Sequence, residues 1–341
     1  MGRKKRVTLR DVAREAGVSP TAVSFAYNAP HQLSPTTRDR ILETAAELGY
    51  QPHPVARTLA TGRTHTIGLV VPTSLDWILH DPLFSRFLGA IGTVCDQEQK
   101  HILLVPAKGD VSPAILETVA ADGFVLFGIH RDHPLARALE NLSRPAVILN
   151  GDPAIPVPMF NLDDIQGGYE AARHLLEKGH RRIAVATMPP RDDGVVIPTF
   201  EWRIAGYRKA VEAFGLPPET LQIVHTPGRL GASQESFQAV WRLRPRPTAV
   251  LCVSDVRALA ILRGARKAGV RVPDDLAIVG YDDLPEAASA LPPLTTVHYD
   301  IELRVRDALR ALFDLIYERM DERTMPQVRT YPVHLVVRES T

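Results

Sequence analysis

The chain has 341 residues, 45% of them hydrophobic and 23% charged, with a formal net charge of +1. That length is too great for one ordinary domain and suits two or three, and the composition excludes disordered, collagen-like and disulfide-scaffold proteins. The longest apolar runs, such as residues 67–72, fall far short of the ~20 residues a membrane span needs, and the two cysteines, Cys95 and Cys252, sit in apolar contexts that read as buried free thiols.

The N-terminus, MGRKKRVTLRDVA, has basic residues with no apolar segment behind them. It is not a secretory signal by that pattern, so a cytoplasmic protein is expected. Charge is unevenly spread. Residues 1–64 carry ten Lys and Arg against five Asp and Glu, which puts the head at +5 and the remaining 277 residues at −4. A basic head on an acidic body points to a polyanionic partner held by the head. Arg3 to Arg6 alone also fit a solvated basic tail.

Thr8, with Asp11 three residues on, opens a helix in a capping-box pattern. Leu9, Val12, Ala13 and Ala16 give it one apolar face, and Gly17 ends it. Ser19-Pro20 starts a second helix, with Ser as cap and Pro where a missing N–H costs nothing. It runs to about Asn28, with Val23 and Ala26 or Tyr27 facing inward. Ser34-Pro35 repeats the start signal for a third helix through Ile41, Leu42, Ala45 and Leu48, closed by Gly49. Two short helices joined by a Gly-containing turn form a helix-turn-helix, whose second helix enters the major groove. Ser19, Thr21, Ser24 and Asn28 lie on its polar side and can bond phosphate or bases. A small three-helix bundle with ordinary caps would share this spacing.

The ungapped run Val7-Thr8-Leu9-Arg10-Asp11-Val12-Ala13-Arg14-Glu15-Ala16-Gly17-Val18-Ser19 resembles the head of the LacI/GalR (lac repressor/galactose repressor) family. So do Val23-Ser24, Asn28, Ser34, Thr37-Arg38, Leu48-Gly49-Tyr50-Gln51-Pro52 and Val55-Ala56-Arg57-Thr58-Leu59-Ala60. The resemblance implies contacts to double-stranded operator DNA from Thr8, Leu9, Arg10, Ser19, Pro20, Thr21, Ser24, Phe25, Asn28, Ser34 and Thr37. It further implies a hinge helix within residues 52–64, with Val55, Ala56, Leu59 and Ala60 on DNA and Leu59 as an apolar wedge in the minor groove. A helix that short is marginal alone, which makes the hinge an order–disorder switch. Pro20, Thr21 and Phe25 depart from the family's reading positions. Proline offers no side-chain hydrogen bond, and Phe25 either meets a thymine methyl or turns inward. The operator sequence therefore does not carry over.

From residue 65 short β-branched runs alternate with helical stretches. The runs are 66–72, 101–106, 122–129 and 145–150, then 181–188, 221–225, 248–254 and 276–283. Such alternation means parallel sheets with helices on both faces, here in two similar lobes. The expected fold is an all-α helix-turn-helix head (1–51) and hinge (52–64), then a two-lobed α/β core (65–341) with parallel sheets. The N-lobe takes about 65–164 and 300–326, the C-lobe about 165–297 and 328–341. Ligands of open α/β sheets sit beyond the strands' carboxyl ends, so the interlobe cleft should hold one.

The resemblance extends loosely over the core, through Asn161-Leu162-Asp163-Asp164, Arg203-Ile204-Ala205-Gly206-Tyr207, Ser254-Asp255 and Val279-Gly280-Tyr281-Asp282-Asp283. It implies the periplasmic-binding-protein-like fold, with Arg203 and Asp282 as the principal effector-binding residues and Asn150 and Ser254 as weaker contacts. An Arg fork and a carboxylate can read vicinal hydroxyls or a purine edge. A surface salt bridge for Arg203 and helix capping for Asp282 are the structural alternatives. The loop 73–82 departs most from the family, and its Trp77 either stacks on a sugar face or packs. No dinucleotide, P-loop, zinc-protease or nucleophile-elbow motif occurs, so no enzyme, metal or cofactor is expected.

These readings converge on a homodimeric transcription regulator, by default a repressor, controlled by a small molecule between the lobes. A carbohydrate is the favoured effector by resemblance. A nucleobase or nucleoside, or no effector, stays open. A solute-binding protein would share the body but need a signal sequence and no DNA head. The strand-like run 331–341 carries no heptads, so a coiled-coil tetramer is not expected.

Overall fold

A computed structural model of the chain describes residues 7–51, 58, 62–108, 112, 114–189, 197–227, 229–320 and 324–341. It divides into two compact units, Met1–Thr64 and His65–Thr341.

Among the described residues of the first unit three α-helices follow one another: α1 (Leu9–Glu15), α2 (Pro20–Asn28) and α3 (Pro35–Glu47). Each begins on a hydroxyl residue that satisfies an orphan N–H. Thr8 and Asp11 close a reciprocal capping box, Ser19 Oγ accepts from the Ala22 N–H at 3.1 Å, and Ser34 Oγ accepts from the Thr37 N–H at 3.3 Å. Gly17, at φ +66°, makes the turn between α1 and α2 without steric cost. Val12, Ala13, Ala16, Val23, Ala26, Ile41 and Ala45 form the core, with Tyr27, Leu48 and Tyr50 packed around it. Ala26 and Tyr27 thus both face inward.

The second unit opens with β1 (Thr66–Val71), α4 (Leu75–Leu79), α5 (Pro82–Gln97), β2 (His101–Pro106) and α6 (Ile115–Thr118). Next come β3 (Gly123–Phe127), α7 (Pro134–Leu139), β4 (Ala146–Leu149) and β5 (Met159–Leu162). The chain then crosses to the second lobe through α8 (Asp164–Glu177), β6 (Ile183–Thr187), α9 (Pro198–Ala213), β7 (Leu221–His225) and α10 (Ser233–Trp241). That lobe continues through β8 (Ala249–Cys252), α11 (Asp255–Lys267), β9 (Ala277–Val279), α12 (Pro285–Ser289) and β10 (Thr296–His298). It returns with α13 (Ile301–Ile316) and β11 (Val328–Tyr331), then crosses a last time to β12 (His334–Val336).

Two parallel sheets result, ordered β2-β1-β3-β4-β5-β11 and β7-β6-β8-β9, with β10 and β12 paired antiparallel beside the second. β1 lies between β2 and β3 in the first, in register Ile67 to Ile102 and Ile67 to Gly123. β6 is central in the second, with Ile183 opposite both Leu221 and Ala249. Strands buried on both faces read as near-continuous apolar runs, as in β1, β4, β6 and β8. α13 lays its stripe of Ile301, Val305, Ala308, Leu309, Leu312 and Phe313 over the first sheet. No helix among the described residues is long and apolar enough to cross a membrane.

Two boundaries differ from the sequence reading. β11 pairs parallel with β5, Val328 opposite Met159, so residues 328–331 extend the first sheet and do not belong to the C-lobe. A strand this short draws its position from its neighbour, and its own pattern carries little. The segment 73–82, read as a loop, contains the helix α4.

Candidate functional site

The carboxyl ends of the two sheets face a cleft lined by β1, α5, β3, β4, α9, α11 and the turns after β9 and β10. Four of the expected effector residues, Asn150, Arg203, Ser254 and Asp282, line it together. Trp77 stands on α4, and its side chain lies outside the described residues.

Arg203 reaches the cleft because α8 and α9 approach closely through glycine. A Cβ on Gly168 would lie 2.2 Å from the Arg203 carbonyl oxygen, and one on Gly206 2.1 Å from that of Ile165. Only glycine permits that approach. Arg203 is 2% exposed, which removes the surface salt-bridge alternative. Its Nε donates to Asp164 Oδ1 at 2.8 Å, and its Nη1 stands 3.2 Å from Asp282 Oδ1. Its guanidinium carbon lies over the Tyr281 ring, 3.6 Å from the ring centre. The carboxylates of Asp164 and Asp282 keep its pKa well above the ordinary value in spite of burial.

Asp282 caps no helix. Its Oδ1 accepts from the Tyr299 hydroxyl at 3.1 Å and faces Arg203, while Oδ2 has no protein partner. Burial pushes its pKa up to about 7 against the pull of Arg203. Its backbone sits at φ +112°, and Asn150 and Asp283 also have positive φ, at +62° and +46°. Three non-glycine residues in that region, two of them lining the cleft, are a local concentration of backbone strain at a site. Asn150 Oδ1 accepts from Arg304 Nη1 at 2.6 Å, which joins β4 to α13. Ser254, at the start of α11, accepts from Arg257 Nη1 at 3.1 Å.

The sequence reading missed Asp81, Phe200, Arg257 and Tyr299, which also line the cleft. Arg257 had a usable signal, three residues beyond Ser254 and so on the same helical face. Asp81 before Pro82 reads as a helix cap, and its Oδ1 does accept from the Leu83 N–H at 2.9 Å. Phe200 and Tyr299 had none, since ordinary core aromatics look the same. Asp255 is set apart from the cleft's chemistry. Its carboxylate accepts from the Leu284 N–H at 2.8 Å and the Thr296 hydroxyl at 2.6 Å, and it braces the turn after β9.

The head presents a second candidate surface. Thr8, Arg10, Ser19, Pro20, Thr21, Asn28 and Ser34 are exposed, and Leu9, Ser24, Phe25 and Thr37 are half-buried. Thr21, Ser24, Phe25 and Asn28 share one face of α2 by their spacing. Asn28 Nδ2 donates to Ser24 Oγ at 3.3 Å. Phe25 is the side chain the sequence left open. It is half-buried and is not among the residues of the head's core or those packed around it. Val55, Ala56, Leu59 and Ala60 lie outside the described residues.

Comparison with known proteins gives both parts a context. The model of the lacI family of bacterial regulatory proteins matches residues 8–53, and that of the periplasmic binding protein-like domain matches residues 172–341. Over the full length of both chains the sequence is 34% identical to the HTH-type transcriptional regulator CelR of Thermobifida fusca. It is 32% identical to the HTH-type transcriptional regulator DegA of Bacillus subtilis, covering 98% of each. Among solved structures, the transcriptional regulator CelR–cellobiose complex superposes with a TM-score of 0.69 at 32% identity, covering 98% of this chain and 100% of that one. The lac repressor dimer bound to operator and the anti-inducer ONPF does so with a TM-score of 0.79 at 26% identity, covering 98% and 99%.

Proposed function

The chain belongs to the LacI family of bacterial regulatory proteins, and from that membership we propose that it is a homodimeric cytoplasmic repressor whose grip on operator DNA is set by a carbohydrate bound between the core lobes. It is a DNA-binding transcription regulator and not an enzyme, as the matched family and the full-length relatives are regulators. What remains a proposal is the effector, the assembly, the direction of control and the role of each residue.

The observation that carries the effector reading is the Arg203–Asp282 pair, buried yet lining the cleft beside Asn150 and a wall of Phe84, Phe127 and Phe200. Donors and a carboxylate beside flat apolar faces suit a sugar's hydroxyl rim and its C–H face. The CelR relative is solved as a cellobiose complex, which favours the same class.

On DNA, α2 is the reading helix, and the face of Thr21, Ser24, Phe25 and Asn28 meets base edges. Ser19 and Ser34, with Thr8 and Arg10, hold phosphates. Two copies would read two halves of a near-palindromic operator, with Leu59 of each entering the minor groove.

Selection of genomic DNA on the full-length protein, followed by footprinting, tests the regulator reading, with a two-fold site as the expected product. Titration calorimetry against mono- and disaccharides, with nucleobases and nucleosides as the competing class, tests the effector. Binding of a purine with no response to any sugar would overturn the carbohydrate assignment. Leu59→Ala should weaken operator binding more than non-specific binding, and equal losses on both DNAs would remove the wedge.

A further inference from the structure

Arg257 is the one cleft-lining cation among the described residues whose guanidinium is not neutralised by a hydrogen-bonded carboxylate. It is 2% exposed. Its Nη1 is taken by Ser254 at 3.1 Å, but its Nε and Nη2 are buried without a protein partner. Those two atoms form the side-on edge of the guanidinium. Elsewhere in this molecule that same edge holds carboxylates in pairs of hydrogen bonds. Arg131 grips Asp152 with Nε at 2.6 Å and Nη2 at 2.8 Å, and Arg271 grips Asp275 with Nε at 3.0 Å and Nη2 at 2.8 Å. The unpartnered edge belongs to a residue that lines the cleft, and an oxyanion reaching it would complete the same pair of hydrogen bonds.

The cleft's own acids do not fill it. Asp282 Oδ1 is engaged by Arg203 and Tyr299 and Asp81 Oδ1 by the Leu83 N–H, and neither carboxylate, the unpartnered Asp282 Oδ2 included, is hydrogen-bonded to Arg257, although the charges of both act on it. Leaving a buried guanidinium edge without acceptors is costly. Burial here pulls the Arg257 pKa down to about 10. The Phe200 ring centre lies 5.2 Å from the guanidinium carbon. Arg304 has the same two atoms free but does not line the cleft, so it offers no comparable site.

Resting on the carbohydrate reading above, we propose that the effector is an oxyanionic sugar, a sugar acid or a sugar phosphate, whose anionic group is held side-on by Nε and Nη2 of Arg257. Arg203 and Asp282, on the same lobe as Arg257, and Asn150 on the other lobe would then face its hydroxyls.

The test uses the full-length chain and matched ligands: glucose with glucuronate and glucose 6-phosphate, and cellobiose with cellobionate. Calorimetry at fixed ionic strength should give the anionic member an affinity about 10- to 100-fold above its neutral partner, the range of a charge-assisted pair of hydrogen bonds. The glucuronate and glucose 6-phosphate arms distinguish carboxylate from phosphate. Arg257→Gln should erase that preference, and Arg257→Lys should keep part of it, having the charge without the fork. Arg257→Gln should also melt no lower than the parent chain without ligand, since it removes a buried unpaired cation. Neutral sugars bound as tightly as their acids, or an acid preference that survives Arg257→Gln, would overturn the assignment while leaving the carbohydrate reading in place. Binding of no sugar of either kind would overturn both.

Discussion

Burial and charge pull the proton of Asp282 in opposite directions. Desolvation raises its pKa to about 7, and Arg203 beside it limits the rise. The unfolded chain returns it to the ordinary carboxyl range, about 4. A pKa raised on folding contributes stability that is complete below about pH 4 and lost as pH rises through about 7. Thermal unfolding followed between about pH 5 and pH 8 should therefore contain a declining component that Asp282→Asn lacks. Superimposable pH profiles for the two proteins would mean an ordinary carboxylate. Phe25 supports a different kind of test. It stands outside the head's core, so Phe25→Ala should cost about 1 kcal/mol of stability or less. The same change should reduce affinity for selected DNA by more than affinity for random DNA. A large loss of stability would return Phe25 to a packing role. Asn150, Ser254 and Asp282 were legible at strand ends, and Arg203, inside α9, only through its match to the family pattern. Tyr299 was not, because its place in the cleft depends on how the second lobe folds back on the first, whereas Arg257 could have been found from its spacing to Ser254.

At the scale of elements, the paired helices α8 and α9 set the position of Arg203. Glycine within a helix costs ~1 kcal/mol relative to alanine, so propensity alone expects Gly168→Ala or Gly206→Ala to stabilise. The geometry expects the reverse. The added methyl would press on the Arg203 carbonyl in one case and that of Ile165 in the other, at about van der Waals overlap. Overpacking of this kind costs about 1–3 kcal/mol. Denaturant unfolding of either variant should show a net loss, and a gain would mean the seam is loose. Strands of five or six apolar residues, such as β1 and β3, could be read directly from their runs. β5, β10 and β11 could not. They are three or four residues long, and their partners are distant in sequence: β11 pairs with β5, and β10 with β12. Short strands of that kind are placed by tertiary pairing more than by intrinsic preference.

In the whole core the chain passes between the lobes at three places, after β5, after β10 and after β11. Asp164 begins the helix after the first passage and Tyr299 follows the strand before the second, and both are tied into one buried network. Arg203 binds Asp164 and faces Asp282, and Asp282 accepts from Tyr299. A ligand that engages Arg203 or Asp282 therefore acts on groups at two of the passages. Any change in lobe geometry must alter these contacts, and a ligand shifts the balance only through unequal affinity for the two arrangements. Coupling of this kind is typically ~5- to 150-fold between sites. Arg203→Met removes the cation that joins Asp164 to Asp282 and should uncouple the sites. The expected outcome is DNA affinity near that of one parental state, with a change below about 2-fold on adding the sugar that moves the parent within the typical coupling range. DNA affinity and sugar affinity should be measured separately on the variant. Sugar binding that persists without a DNA response would place Arg203 in transmission, and loss of both would place it in binding. An undiminished response would remove the network from the mechanism altogether.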